Sequence, residues 1–198
     1  QVLPDATLQQ VLAQVPASRI TAPHALISLD AEVRVRHARG QSLPDWLAMR
    51  EGRFEVFPDG VALPETAAQI RELLAWAQQQ DVILIPYGGG TSVAGHINPQ
   101  ACSKPVVTLS LERMTKLIEL DEQSLIATFG PGANGPQVES QLRARGYTLG
   151  HYPQSWELST LGGWVASRSS GQQSLRYGRI EQLFAGGTVE TFAGTLSI

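Results

Sequence analysis

The sequence predicts an α+β fold in one compact domain led by a short helical extension, and three observations carry that prediction. From Pro58 onward, short apolar runs of strand character alternate with stretches whose apolar residues recur at helical spacing. Glycine, proline and acidic turn residues separate these runs at short intervals. Of the 198 residues 42% are hydrophobic and 17% charged, the composition of a chain with enough apolar surface to bury a core.

Taken in order, Leu8, Val11, Leu12 and Val15 share one face of a helix over Thr7 to Val15. Ser42 and Asp45 form a capping arrangement, with Pro44 in the first turn and Gly52 beyond the end, which predicts a helix near Leu43 to Glu51 with Trp46, Leu47 and Met49 available for packing. Thr66 and Gln69 make a capping-box pair before a helix whose inward face carries Ile70, Leu73, Leu74 and Ala77. Val82 to Ile85 reads as a strand bounded by Asp81 and Pro86, and Pro105 to Leu109 as a buried one. Leu117 to Leu120 and Ser124 to Phe129 flank Asp121-Glu122-Gln123 as a hairpin. Pro136 opens a helix through Val138 and Leu142 that Gly146 closes. Two further strands are expected around Gly186-Gly187 and Ala193-Gly194.

Composition narrows the function. The net charge of −3 and pI near 5.8 provide no long-range attraction for nucleic acid. Cys102 is the only cysteine, so neither an internal disulfide nor a multi-cysteine metal site can form. His24, His37 and His96 have no zinc-ligand spacing, and no metal is expected. Apolar runs such as Val82 to Pro86 are too short to span a bilayer, so no transmembrane segment is expected. Residue 1 is Gln and no charged-then-apolar leader precedes the first helix. A cytoplasmic protein whose start is processed, truncated or simply not visible is the expectation.

Two glycine clusters stand out. The first, Pro86-Tyr87-Gly88-Gly89-Gly90-Thr91-Ser92, directly follows a predicted strand. Consecutive glycines can turn successive backbone N–H groups into one concavity, a nest for an anion, and Thr91 and Ser92 add hydroxyl donors. The plainer reading is a flexible turn. No lysine follows the glycines, which excludes a nucleoside-triphosphate loop. Ala94-Gly95-His96-Ile97-Asn98-Pro99 is a poor helix start, which excludes the dinucleotide fingerprint.

The second cluster runs from Gln154-Ser155-Trp156-Glu157-Leu158-Ser159-Thr160 through Leu161-Gly162-Gly163-Trp164-Val165-Ala166 to Ser167-Arg168-Ser169-Ser170. Its small residues suit either a backbone pressed against a flat ligand or a tightly packed helix. Its hydroxyls are dense for a core helix. Trp156 is the tryptophan placed to approach a ligand. Arg168 and Arg176 could each stabilise an anionic one or form surface ion pairs. His151 beside the cluster reads as structural.

Taken together, the clusters resemble the FAD-linked oxidases, the vanillyl-alcohol-oxidase family with PCMH-type FAD-binding domains. Pro86 to Ser92 is similar to their pyrophosphate loop. Gly150-His151-Tyr152-Pro153-Gln154-Ser155 to Gly163-Trp164 resembles the second flavin segment of their alkyldihydroxyacetonephosphate synthase branch. Ser170-Gly171 and Tyr177-Gly178-Arg179-Ile180-Glu181-Gln182-Leu183 resemble the continuation of that segment. The resemblance spans about Arg36 to Leu183.

It implies a PCMH-type FAD-binding domain of two α/β subdomains with FAD between them. Residues 1–57 would then be a helical extension and 58–198 the FAD-binding domain, incomplete at its C-terminal side. The pyrophosphate falls on Pro86, Tyr87, Gly88, Gly89, Gly90, Thr91 and Ser92. The flavin side falls on Gln154, Ser155, Trp156, Ser159, Thr160, Gly162, Gly163, Ser167, Arg168, Ser169 and Ser170. Family members often have Asp where Gln154 stands, so one charge near the cofactor is lost. Some attach FAD through a histidine in the first loop. Thr91 occupies that region here, which implies noncovalent FAD.

Members also continue into a Gly-Ser-Glu-Gly-Thr-Leu-Gly segment and a cap domain that binds a small-molecule substrate and carries the catalytic tyrosine and histidines. No position here inherits those roles. The reaction implied is alkyl-for-acyl exchange or, in the D-2-hydroxyacid dehydrogenases, hydride transfer to flavin. An inactive FAD-domain fragment and a homo-oligomer also stay open.

Overall fold

The computed structural model describes residues 4–198, so the first three residues of the expected extension lie outside it. Helix α1 (Leu8–Leu12) begins at Thr7, whose hydroxyl accepts from the Gln10 amide while the Gln10 side chain accepts from the Thr7 amide. Strand β1 (Ile27–Ser28), α2 (Ala31–Arg36) and α3 (Leu43–Arg50) follow.

Helix α3 forms where its caps and proline place it, yet it buries a different face from the apolar one. Trp46 and Leu47 are 51% and 50% exposed, whereas Asp45 and Ala48 point inward. The cause is polar: the Asp45 carboxylate accepts from Ser42 Oγ at 2.6 Å, Asn98 Nδ2 at 2.7 Å and Arg39 Nη1 at 3.2 Å. A fully satisfied carboxylate anchors the helix more specifically than the apolar residues do.

The first subdomain is a four-stranded sheet in the order β1-β2-β4-β3, with β2 at Gly60–Ala62, β3 at Ile83–Tyr87 and β4 at Val106–Ser110. Strand β1 runs antiparallel to β2, so the extension contributes an edge to this sheet, while β2, β4 and β3 are parallel. Helix α4 (Ala67–Gln79) carries the chain from β2 to β3 and buries Leu73 and Ala77 against Ala62, Val82, Val107 and Leu109. Its capping differs from expectation: Thr66 accepts from the Gln69 amide, but the Gln69 side chain takes the Glu65 amide instead of returning to Thr66. Every residue of β4 is buried, as befits a central parallel strand.

Strand β3 continues through Pro86, where a boundary was expected. It lies at the sheet edge, and residues 83, 85 and 87 direct their amides at β4, as the bond from the Ile83 amide to the Pro105 carbonyl shows. The nitrogen of Pro86 therefore faces away from the ladder, where a missing N–H costs nothing.

The second subdomain comprises hairpin β5 (Leu117–Asp121) and β6 (Ile126–Phe129), helices α5 (Gly135–Arg143), α6 (Leu161–Ser167), α7 (Ser174–Tyr177) and α8 (Ile180–Leu183), and a core of Ala133, Val138, Leu142, Trp164 and Ile180. Glu139 of α5 pins the chain before the second cluster. Its buried carboxylate accepts from the Leu149 and Gly150 amides, both at 3.1 Å, and from the Thr148 hydroxyl at 2.7 Å. The expected pair of C-terminal strands forms a hairpin, β7 (Thr188–Thr191) and β8 (Gly194–Ser197), beginning just after Gly186-Gly187. It is tied to α4 by Arg71 and Glu190 at 2.6 Å.

Candidate functional site

The C-terminal ends of parallel strands β2, β3 and β4 open onto a cleft of about 1860 Å³, whose opposite wall is built from β5, β6 and the start of α6. Ligands of α/β sheets bind at this end because the loops leaving the strands diverge there. The first glycine cluster leaves β3 along the cleft floor, and Pro86 to Ser92 all line it.

Among the described residues, no protein acceptor pairs with the five amide N–H groups from Gly88 to Ser92. The Gly90 carbonyl is turned the other way and accepts from the Gln41 amide at 2.7 Å, while the Gly89 carbonyl accepts from Gln41 Nε2 at 3.1 Å. A run of free donors on a cleft floor is an anion nest in form and suits a pyrophosphate.

The glycines serve a second purpose that the sequence did not reveal. Within the loop Gly88 to Ser92, positive φ occurs only at Gly90, at 70°. A Cβ on Gly89 would overlap the Leu158 carbonyl, and one on Gly88 would overlap the Thr160 hydroxyl. The two clusters are therefore packed backbone against backbone. The absence of Cβ atoms is needed at least as much for that contact as for a ligand's approach.

The second cluster is distributed more widely than expected. Ser155, Ser159, Thr160, Gly162, Gly163, Ser167 and Ser169 line the cleft together with the first loop. Gln154 and Trp156 lie instead on a separate shallow groove with Tyr152, whose ring is 5.6 Å from that of Trp156. The Trp156 indole covers Gly135, where no Cβ would fit, so it packs on α5 and does not approach the cleft. Arg168 caps α6 in the left-handed conformation at φ 53° and reaches Glu181 at 3.5 Å across the surface. Arg176 lies over the Tyr177 ring. Neither arginine lines the cleft, and neither does Ser170.

Much of the hydroxyl density is structural. Ser159 Oγ donates to the Ser155 carbonyl and accepts from the buried Trp164 indole at 2.7 Å. Ser167 bonds back to the Gly163 carbonyl of its own helix at 2.7 Å. Ser169 Oγ lies 3.1 Å from Nε2 of His151, which is buried against the Trp164 ring with Nδ1 unpartnered. Burial in that apolar setting pushes the His151 pKa down, so the imidazole is neutral.

Four contributors were missed in the sequence. Pro131 and Ala133 supply carbonyls to the Gly162 and Leu161 amides, both at 2.8 Å, and so fix the first turn of α6. The Gly130-Pro131-Gly132 triplet was a visible signal for such a close approach. Arg113 lines the cleft 3.4 Å from Glu65. Gln41 had no sequence signal. No group of three or more metal-ligating side chains occurs among the described residues, and no helix there is long and apolar enough to cross a membrane.

Comparison with known proteins gives this geometry its context. The profile of the FAD binding domain family matches residues 58–197. Alkyldihydroxyacetonephosphate synthase of Dictyostelium discoideum is 37% identical over 169 residues, 85% of this chain and 28% of that protein. The synthase of Trypanosoma brucei brucei is 36% identical over 172 residues, 86% of this chain and 28% of that protein. A solved structure of alkyldihydroxyacetonephosphate synthase superimposes on 100% of this chain and 37% of its own, with a TM-score of 0.85 and 33% identity. The chain thus spans 28% of the length of the curated relatives it matches here.

Proposed function

The chain belongs to the FAD binding domain family, and on that premise we propose that it is the FAD-binding portion of an alkyldihydroxyacetonephosphate-synthase-like flavoenzyme that holds FAD noncovalently in its cleft. The observation that carries this reading is the run of unpaired amides from Gly88 to Ser92 on the cleft lining, beside the small residues Thr160, Gly162 and Gly163. Those amides and the Thr91 and Ser92 hydroxyls hold the pyrophosphate. Ser155, Thr160, Gly162, Gly163 and Ser169 border the flavin side, where glycines and small hydroxyl residues let a planar ring lie close to the backbone. Residues 58–198 act as the FAD-binding domain, with 1–57 as the extension that backs it.

Bound flavin supplies reversible electron acceptance at its ring. This chain's residues bind the dinucleotide, orient it and remove part of it from water. No side chain here is assigned a role in substrate chemistry. The small-molecule substrate is proposed to meet the flavin through a cap domain outside these residues. His96, on the cleft lining 3.1 Å from Ser92 Oγ, is the observation that favours a D-2-hydroxyacid dehydrogenase-like reading, and bleaching of the flavin by D-lactate in the protein that carries its cap domain would select it.

Titration of the purified apoprotein with FAD, followed by flavin fluorescence, tests the proposal. Saturable binding is expected, with all flavin released to the supernatant on acid precipitation. No binding would sink the FAD reading, and flavin retained on the pellet would sink the noncovalent one.

A further inference from the structure

The segment Arg39 to Ser42, outside the part of the chain that matches the family profile, packs directly behind the first glycine loop. Gln41 makes two bonds to that loop. Its amide donates to the Gly90 carbonyl at 2.7 Å and its side-chain Nε2 to the Gly89 carbonyl at 3.1 Å. The Gly40 amide donates to Asn98 Oδ1 at 2.7 Å, and Asn98 Nδ2 donates to Asp45 at 2.7 Å, so the far end of the loop is tied to the same segment. Tyr87 at the near end donates its hydroxyl to the Arg39 carbonyl.

A carbonyl and the amide nitrogen that follows it belong to one planar peptide unit and point in opposite directions. Fixing the Gly89 and Gly90 carbonyls toward Gln41 therefore fixes the amides of Gly90 and Thr91 away from it, into the cleft. Glycine peptides rotate easily, so an unbuttressed loop of three would spend much of its time with amides and carbonyls mixed across the floor. Carbonyl oxygens facing a pyrophosphate would repel it. We infer that Gln41 is a positioning residue, which holds the glycine loop with its amides turned toward the pyrophosphate of the dinucleotide.

This rests on the FAD reading above, and its test separates the two. FAD and ADP are titrated into the wild-type chain and into Gln41→Leu and Gln41→Glu, with the melting temperature of each apoprotein measured alongside. Both variants keep the backbone bond to Gly90 and lose the side-chain donor to Gly89. Gln41→Glu is nearly isosteric, so it preserves the packing even if leucine does not. The expected result is a loss of about tenfold in affinity for FAD and ADP alike, the scale of one hydrogen bond, with the apoprotein still fully folded at the titration temperature. ADP shares the adenosine and both phosphates of FAD but lacks its flavin and ribityl chain, so an equal loss locates the effect on the diphosphate side, away from the flavin. Unchanged affinity in both variants overturns the inference. So does a loss confined to FAD. Failure of the wild type to bind either ligand removes the FAD reading itself, and this inference with it.

Discussion

Gly89 and Leu158 lie in such close contact that the Leu158 carbonyl occupies the space a Cβ on Gly89 would need. Next to them, Gly88 abuts the hydroxyl of Thr160. The two contacts differ in kind, since one obstacle is backbone and the other is a side chain that can be removed.

Gly88→Ala is expected to cost about 1–3 kcal/mol of stability through overpacking and to weaken FAD binding. Thr160→Ala in the same molecule should restore most of both. Gly89→Ala should cost as much or more, and Thr160→Ala should not rescue it, because the Leu158 backbone cannot be trimmed. Chemical denaturation and FAD titration of the four variants form the test. Rescue of Gly89→Ala by Thr160→Ala would show that the clusters move independently.

Glu139 couples α5 to the chain that enters the second cluster. Burial alone would raise its pKa, but bonds from the Thr148 hydroxyl, the Gly150 and Leu149 amides and Arg143 outweigh burial and hold it below the usual range. A carboxyl depressed in the folded state contributes stability above its unfolded pKa of about 4.3, and that contribution is lost as pH falls through the folded value. Glu139→Ala should cost about 2–4 kcal/mol at neutral pH because it leaves buried donors unpaired. The gap between wild type and variant should narrow as pH drops below about 4. Melting temperatures from pH 3 to 7 would show it, and a constant gap would refute the linkage.

How much of this was legible depends on whether the cause is local. Helix starts at Ser42 and Pro136 were readable because a cap or an early proline acts within one turn, and the first helix was readable from its apolar spacing, although it ends at Leu12 and not at Val15. The glycine loop was readable because three adjacent glycines are costly unless they serve a turn or a close approach. The orientation of α3 was not readable, since one of the three donors that satisfy the inward Asp45 is Asn98, distant in sequence. For the same reason Ser159 could not be recognised as the partner of the Trp164 indole. Nor could Trp156 be placed on α5, where Gly135 makes room for it. Gln41 is the extreme case, a polar residue of ordinary context whose role exists only through contacts 48 and 49 positions away.

His151 links acid stability to the same region. Its folded pKa lies below the ordinary value because burial disfavours the imidazolium, so the unfolded chain takes up a proton more readily. Stability from this site is present above about pH 6.5 and falls as pH drops from there through the folded pKa. His151→Gln cannot titrate and should lack this phase while retaining the later carboxylate phase. Denaturation at half-unit intervals between pH 5 and 7.5 distinguishes them, and identical slopes would place the wild-type proton uptake elsewhere.

Tyr87 and Gly90 make the last case, at the turn that begins the glycine loop. The Tyr87 hydroxyl donates to the Arg39 carbonyl and occupies the space beside Gly90 that a Cβ would need. Burial first, then the charges of Glu112 and Asp45, push the Tyr87 pKa up to about 12. Raised above an unfolded value of about 10, the site is fully stabilising below pH 10 and loses that contribution as pH rises through the folded pKa. Tyr87→Phe should cost about 1 kcal/mol at neutral pH for the lost hydrogen bond and should abolish this alkaline phase. Gly90→Ala should be costlier, because φ of 70° is strained for any side chain and the hydroxyl blocks the space as well. Combining the two should recover only part of the steric cost, because ring carbon Cζ would still lie 2.8 Å from the added Cβ, and about 1 kcal/mol of backbone strain remains as well. A double-mutant cycle by chemical denaturation at pH 7 measures that remainder. Full additivity would mean that the hydroxyl moves aside freely, and complete rescue would mean that the left-handed conformation of Gly90 is not required.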